Sequence, residues 1–456
     1  MRRGEWGEEL GVREVALKVL YKVEVNKAHV DSLISDVVSG KKIQTRDIGL
    51  LTELVYGVTR FKSKLDWVIN NYLERDVYDL TPWIRNILRL GAYQLIYLDR
   101  VPSYAVINEA VESAKRHGHQ GVANLVNAIL RKVLNGYDKV INKRLTIQRD
   151  ESSLAINYAH PLWLFKRWVD RFGLERTINI CEANNTLPFL SLRINTLKTD
   201  KESIERSLKE REINFAGSIL FEDVIQINEH KGMDQIKDLL ATGLIYIQGT
   251  SSVIATQVVE PLSDQSILDL CAAPGGKTSY LAQLMKNQGY ILALDNNKSR
   301  LRLLEENIKK MNVKIAEIRQ EDVSEYNEGY QGRFDKVLVD APCSALGMIR
   351  QHPEIKWTRG KEDIEKFSKI QKAILSKAGR YVKDSGKIIY SVCSSETEET
   401  TDVVRHFLRN SGAFETDDLS SLASRYNLKA ENGWITILPD EQGLDGFFIA
   451  RMKLSL

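Results

Sequence analysis

Acidic and sulfur-bearing residues recur in this chain at one kind of place, the point where a short apolar run stops. The run at 266–270, which contains Asp269, gives way to Cys271-Ala272-Ala273-Pro274-Gly275-Gly276-Lys277. Residues 290–294 end at Asp295, 314–319 lead to Glu321 and Asp322, 334–339 run into Asp340 and then Cys343, and 387–392 end at Cys393. A glycine turn that hands a strand over to a helix aims free backbone N–H groups at a ligand. Without Cβ atoms at Gly275 and Gly276, that ligand can approach the backbone. An acid about 20 residues beyond such a turn is placed to accept hydrogen bonds from ribose hydroxyls, which points to Asp295. At Glu321-Asp322 a carboxylate could meet an adenine amino group. Gly-Gly-Lys-Thr at 275–278 lacks the earlier glycine of a triphosphate-binding loop. The expected ligand is therefore a neutral or cationic nucleoside cofactor, and S-adenosylmethionine is the obvious candidate.

The elements that must position these residues alternate. After residue 266, strand-length apolar runs at 266–270, 290–294, 334–340 and 386–392 are separated by helical patterns that begin near Thr278, Ser299 and Lys361. This is the pattern of a doubly wound parallel sheet, whose functional loops lie at the carboxyl ends of the strands. Asp269, Asp295, Asp322, Asp340 and Cys393 all fall at or just after such ends.

Three motifs in this order carry a resemblance: 271–277, Phe-Asp-Lys-Val-Leu-Val-Asp-Ala-Pro-Cys-Ser-Ala at 334–345, and Tyr-Ser-Val-Cys-Ser at 390–394. They resemble the RNA cytosine-5 methyltransferases of the NOL/NOP/Sun family. The resemblance implies an α/β Rossmann-like class I methyltransferase domain. It also implies S-adenosylmethionine held by Cys271, Ala272, Ala273, Pro274, Gly275, Gly276, Lys277, Asp295, Asp322 and Asp340. Carbon 5 of cytosine is a poor nucleophile, so such an enzyme needs a thiolate that adds at C6 and pushes electron density to C5. By resemblance Cys393 is that nucleophile, with Val392 where the family usually has threonine. Cys343 would assist release of the product, Asp340 would bind the amino group of the base, and Lys277 would position the base or offset developing charge. The cationic loop at 348–359, with Trp357, would then grip phosphates around a flipped-out cytosine.

Residues 12–135 read as successive helices. Val15, Ala16, Val19, Leu20 and Val23 share one face, as do Leu51, Leu54, Val55 and Val58. Thr81-Pro82 predicts a capped helix start, and Asn135-Gly136 predicts the stop of the last helix. This all-α bundle resembles the NusB family of RNA-binding domains, in its helix pattern and in stretches such as 89–95. Residues 1–145 hold 23 Lys/Arg against 17 Asp/Glu, a surplus of six on a chain whose net charge is +3. That surplus favours RNA contact at the front, with Arg2, Arg3, Arg13, Lys41, Lys42 and Arg46 as phosphate neutralisers.

The polar stretch 137–153 is the expected linker. Strands near 190–195, 219–227 and 244–247 with a helix at 200–210 match the small RRM-like α+β subdomain that the family carries, without the aromatic signature of single-strand stacking. The chain is thus expected to be multidomain: an all-α helical bundle at 1–145, a connecting helix and α+β linker subdomain at 146–250, and the methyltransferase domain at 251–456.

Cysteines at 181, 271, 343 and 393 form no C-x-x-C pair, and no second histidine stands at ligand spacing from His160. No metal or disulfide is expected, and Cys181 reads as a core residue. No apolar run approaches the length of a membrane span, so a cytoplasmic protein is expected; separately, a monomer is the expected state. A NusB-like front joined to these motifs is found in a bacterial branch of the family, which makes 16S rRNA the expected partner. Two rival readings are another RNA substrate and a non-catalytic antitermination factor. A third, amino methylation, needs Asn/Asp-Pro-Pro-Tyr where this chain has Asp-Ala-Pro-Cys, and has no use for Cys393.

Overall fold

Seven-residue and longer stretches with a 3.6-residue apolar period account for the front of the chain. A computed structural model describes residues 11–141, 150–218, 220–227 and 234–455, and these fall into two units. One holds the described chain up to Thr186 together with Ile349–Thr358; the other holds Leu187–Met348 and Arg359–Leu456.

In the helical unit, Val12–Asn26, Val30–Ser39, Ile48–Arg60, Lys62–Asn70, Pro82–Tyr97, Ser103–His117 and Gln120–Val140 turn their apolar stripes inward. Val15, Val19, Leu51, Leu54, Val68, Leu88 and Leu130 are sealed from solvent, each such side chain contributing about 1.5–3 kcal/mol. A polar hub is buried with them. Arg89 donates to both oxygens of Asp66, at 2.6 and 2.8 Å, and to Glu24 at 3.0 Å. Two helix signals act differently from expectation. Pro82 does open its helix, but the Thr81 side chain caps nothing. The last helix runs through Asn135-Gly136 to Val140. A Cβ at Gly136 would lie 2.6 Å from the Tyr72 hydroxyl, so glycine serves a close approach there. Tyr137 and Ile141 continue the packed face, which outweighs the helix cost of about 1 kcal/mol for glycine.

The expected linker therefore begins inside a helix. Its Asn142, Lys143, Arg144 and Arg149 lie outside the described residues, as do Arg2 and Arg3. Asp150 caps the next helix by accepting from the Ser153 N–H. That helix, Glu151–Asn157, and the two after it, Leu162–Phe172 and Leu174–Asn185, belong to the helical unit, although the sequence groups them with the middle domain. His160 is a packing residue, buried with Nδ1 2.7 Å from the Tyr158 carbonyl, and burial pushes its pKa well down. Cys181 is likewise buried, its thiol pushed up to about 12 by desolvation.

Ile349–Thr358, expected to grip phosphates, instead serves the helical core. Lys356 is only 1 % exposed and donates to the carbonyls of Arg60 and Ala159 and to Asn185 Oδ1 at 3.2, 3.0 and 2.7 Å. Arg350 Nε donates to the Ala183 carbonyl and Trp357 Nε1 to that of Thr59. Desolvated donors persist only where they are satisfied, and here protein acceptors satisfy those of Lys356, whose pKa burial pushes well down. Among the cations expected to meet RNA, Arg13 is occupied by Gln94 and Glu109, whereas Lys41 and Arg46 are exposed.

The second unit contains two sheets. The smaller comprises β1 (Leu190–Ile194), β2 (Phe215–Gly217), β3 (Val224–Ile227) and β4 (Ile245–Ile247) in the order β2-β3-β1-β4, all antiparallel. Lys201–Glu210 covers it, with Ile204 and Leu208 in its core. The larger sheet is mixed. β5 (Ser266–Leu270), β6 (Tyr290–Asp295), β7 (Ala316–Gln320), β8 (Phe334–Asp340) and β9 (Val382–Val392) are parallel, as the alternating pattern predicts. β10 (Phe414–Thr416), β11 (Ala430–Glu431), β12 (Trp434–Ile437) and β13 (Phe447–Leu454) extend it antiparallel beyond β9. The connection between β12 and β13 is too short for the crossover of a dozen or more residues that a parallel pair needs, so a hairpin is the only closure. Ser266–Leu270 and Phe334–Asp340 are central strands buried on both faces, hence their near-continuous apolar runs.

Candidate active site

Sheet register gathers the singled-out residues. Leu270 lies opposite both Leu294 and Val339, so the residues that follow, Cys271, Asp295 and Asp340, form one row at the carboxyl edge. Asp340 in turn faces Ser391 on β9, and Cys343 and Cys393 follow within three residues of that pair. Their sulfurs are 3.1 Å apart.

Asp340 is held from two sides: Lys277 Nζ donates to Oδ2 at 2.6 Å and Ser391 Oγ to Oδ1 at 2.8 Å. Lys277 Nζ also stands 5.4 Å over the Phe447 ring. Asp295 is buried, accepting from Ala273 N–H at 3.2 Å and from Asn297 N–H at 2.9 Å, with Arg300 at 3.5 Å. Ala272 N–H donates to the Leu294 carbonyl, and Asn307 Nδ2 to that of Pro274. Asp322 follows Glu321, whose N–H donates to the Asp295 carbonyl. It is exposed and accepts from the Ser324 N–H and Oγ, bonds that hold its pKa below the ordinary carboxylate value.

The glycine turn is shaped by protein contacts. Gly275, at φ +101°, is the left-handed residue before the helix Gly276–Leu284, and a Cβ there would lie 2.5 Å from Leu304. At Gly276 a Cβ would stand 3.2 Å from the Tyr246 ring. The space above both glycines is thus filled by the chain, and the N–H groups of Ala272, Ala273 and Gly275 donate to Leu294, Asp295 and Ala272.

Beneath the row lies Asp269, fully buried. Its Oδ2 accepts from Thr278 Oγ at 2.6 Å, and its Oδ1 has no partner. Desolvation pushes its pKa up to about 7, and the charges of Asp340 and Asp295 add to that against the Thr278 bond and Lys277. Three carboxyl groups at adjacent strand ends, one with an orphaned oxygen, outnumber the two cations beside them, Lys277 at Asp340 and Arg300 near Asp295. That donor set fits a cationic nucleoside such as S-adenosylmethionine, with its sulfonium and ammonium, and disfavours a phosphate. Burial and the same acids push the Cys271 thiol up, so Cys271 behaves as a small apolar residue packed on the sheet. The Cys343 thiol is also raised, first by its hydrogen bond with Cys393 and then by burial.

Several site residues carry no legible signal in sequence. Arg193, at a polar position of β1, is buried and donates to Gln283 Oε1 and Ser279 Oγ at 2.7 Å each, pinning the helix that follows the glycine turn. Burial lowers its pKa to about 10. Glu399, in the acidic run 396–399, is buried beneath the two cysteines. Gly347 N–H donates to the Cys393 carbonyl at 3.1 Å, and Gly446 sits so close that a Cβ on Gly347 would collide with its carbonyl oxygen. Among the described residues, no group of His, Cys, Asp or Glu could hold a metal ion, and no helix is long and apolar enough to cross a membrane.

Known proteins match in three stretches, the second of which takes in the helices Leu162–Phe172 and Leu174–Asn185 together with the smaller sheet's first strands, as the sequence groups them. The NusB family matches residues 11–135, the ferredoxin-like domain of RsmF/B-like methyltransferases matches 160–234, and the 16S rRNA methyltransferase RsmB/F family matches 256–453. The probable ribosomal RNA small subunit methyltransferase B of Bacillus subtilis is 34 % identical over 98 % of this chain and 99 % of its own. The ribosomal RNA small subunit methyltransferase B of Pectobacterium carotovorum is 30 % identical over 97 % and 98 %. Among solved structures, PH0851 superposes with a TM-score of 0.82 at 25 % identity, covering 98 % of this chain and 100 % of that one. A methyltransferase homologue from Pyrococcus horikoshii gives 0.58 at 28 % identity, covering 68 % and 100 %.

Proposed function

Because the chain belongs to the family of small-subunit rRNA methyltransferases B, we propose that it methylates carbon 5 of a cytidine in 16S rRNA through a covalent bond from Cys393 to C6. S-adenosylmethionine, when bound, supplies the methyl group. The observation that carries this reading is the pair of sulfurs 3.1 Å apart at the edge where Asp340 and Lys277 meet.

Cys343, its sulfur 3.1 Å from that of Cys393, can donate its S–H to it, and a hydrogen bond to a charged form favours that form. Cys393 then adds to C6, and the displaced electron pair makes C5 nucleophilic. Asp340, oriented by Ser391 and Lys277, accepts from the cytosine amino group, a pairing that carboxylates make with C N4. Loss of the C5 proton to a base and expulsion of the Cys393 thiolate from C6 restore the aromatic ring, and Cys343 assists that release. Ala272 to Lys277, Asp295 and Asp322 would line the cofactor side, with Asp269 beneath it. The helical unit, with exposed Lys41 and Arg46, would engage the RNA backbone.

The test is Cys393→Ala. Transfer of labelled methyl groups to 16S rRNA should be abolished while cofactor binding persists. Retained turnover would reject the thiolate scheme.

A further inference from the structure

Two thiols that act on one pyrimidine carbon must be held in a fixed relation, because a misplacement of about 1 Å costs about 100-fold in rate. The sheet does not supply this. The ladder between β8 and β9 ends at Asp340 and Ser391, with Ala341 N–H to the Ser391 carbonyl as the next bond. Cys343 and Cys393 lie beyond it, on separate loops.

Besides the Gly347 N–H bond to the Cys393 carbonyl, what joins the residues next to the two cysteines is one carboxylate. Glu399 is buried. Its Oε1 accepts from the backbone N–H of Ser344 at 2.7 Å, and its Oε2 from the hydroxyls of Ser344 and Ser394 at 2.5 and 2.6 Å. Ser344 follows Cys343 and Ser394 follows Cys393, so the carboxylate grips the residue after each cysteine. The grip is itself braced. Gln371 Nε2 donates to Oε1 at 3.2 Å and to the Pro342 carbonyl at 2.9 Å, and the Tyr390 hydroxyl donates to the Glu399 carbonyl at 2.6 Å. Burial raises the pKa of Glu399 while the Ser344 and Ser394 bonds lower it. Four donors converge on a two-oxygen acceptor, an arrangement that an amide or a hydroxyl cannot reproduce.

We propose that Glu399 is a positioning residue that sets the spacing of Cys343 and Cys393 by clamping Ser344 and Ser394 on one carboxylate. The assignment rests on the two-thiol chemistry proposed above, yet the spacing can be read without methyl donor or RNA. In a glutathione redox buffer, the two protein thiols and oxidised glutathione give the Cys343–Cys393 disulfide and two reduced glutathiones. The equilibrium constant is the effective concentration of one thiol at the other. It is measured on the full chain by mass spectrometry of the alkylated peptides, in the wild type, Glu399→Ala and Ser394→Ala.

Glu399→Ala should lower the constant at least tenfold and Ser394→Ala about threefold, with the binding constant for S-adenosylhomocysteine within twofold of wild type in both. In turnover, Glu399→Ala should lower kcat with the KM for RNA unchanged, a split that general loosening of the fold would not give. A constant within twofold of wild type in folded Glu399→Ala overturns the clamp. If that variant does not fold, Ser394→Ala decides alone by the same criterion. A wild-type enzyme that fails to methylate cytosine would refute the proposed reaction instead, and the thiol equilibrium would still test the clamp independently.

Discussion

Replacing Asp269 with asparagine should stabilise the cofactor-free protein at alkaline pH and leave it unchanged in acid. The carboxyl is fully buried with one oxygen unpartnered, and its pKa is pushed up to about 7 from an ordinary 3.8. A folded-state pKa above the unfolded one means that the native protein holds the proton more tightly. Stability is therefore greatest below about pH 4 as far as this group is concerned, and falls as pH rises toward 7. A gap of about three pKa units at 1.36 kcal/mol each sets a ceiling of about 4 kcal/mol, and relaxation around the ion brings the expected effect to about 2–4 kcal/mol. Asparagine mimics the neutral acid and can still accept from Thr278. Urea denaturation of wild type and Asp269→Asn should coincide near pH 3.5 within about 0.5 kcal/mol, differ by about 1–2 kcal/mol at pH 5 and diverge further by pH 8 in favour of the variant. Binding of the cationic donor should reverse the preference, tightening with rising pH in the wild type and losing that dependence in the variant. Parallel stability curves from pH 5 to 8 would show that the buried acid ionises without penalty, and would refute the electrostatic account of the site.

Cys343→Ala should trap the RNA, giving a protein–RNA adduct that survives denaturing electrophoresis; a variant that turns over without adduct removes the release role. Lys356→Ala should destabilise the helical unit by about 3 kcal/mol, since three buried acceptors lose their donor, and thermal unfolding followed by circular dichroism measures it. Gly347→Ala should cut methyl transfer by more than about tenfold, because its Cβ would collide with Gly446 and push away the N–H that holds the Cys393 carbonyl; initial rates at saturating RNA check this.

Much of this protein is local in sequence. The run Ser-Ile-Leu-Asp-Leu followed by a glycine turn is a strand handed to a helix wherever it occurs, and parallel strands place whatever follows them at one edge. Hence Asp295, Asp340, Cys343 and Cys393 could be placed together from the order of motifs alone. The helix face of Val15, Val19 and Leu20 was equally legible, because burial of one stripe needs only the 3.6-residue period. Tertiary structure decided the fate of charges and the purpose of glycines. Lys356 and Arg350 look like phosphate ligands until distant carbonyls at 60, 159 and 183 accept their hydrogen bonds, and Glu399 carries no signal until two serines fifty residues apart meet on it. Gly136 reads as a stop until the Tyr72 hydroxyl requires its missing side chain. Periodicity follows from bonds along the chain, whereas an ion can be desolvated only when partners remote in sequence arrive, and no local pattern records which ones will.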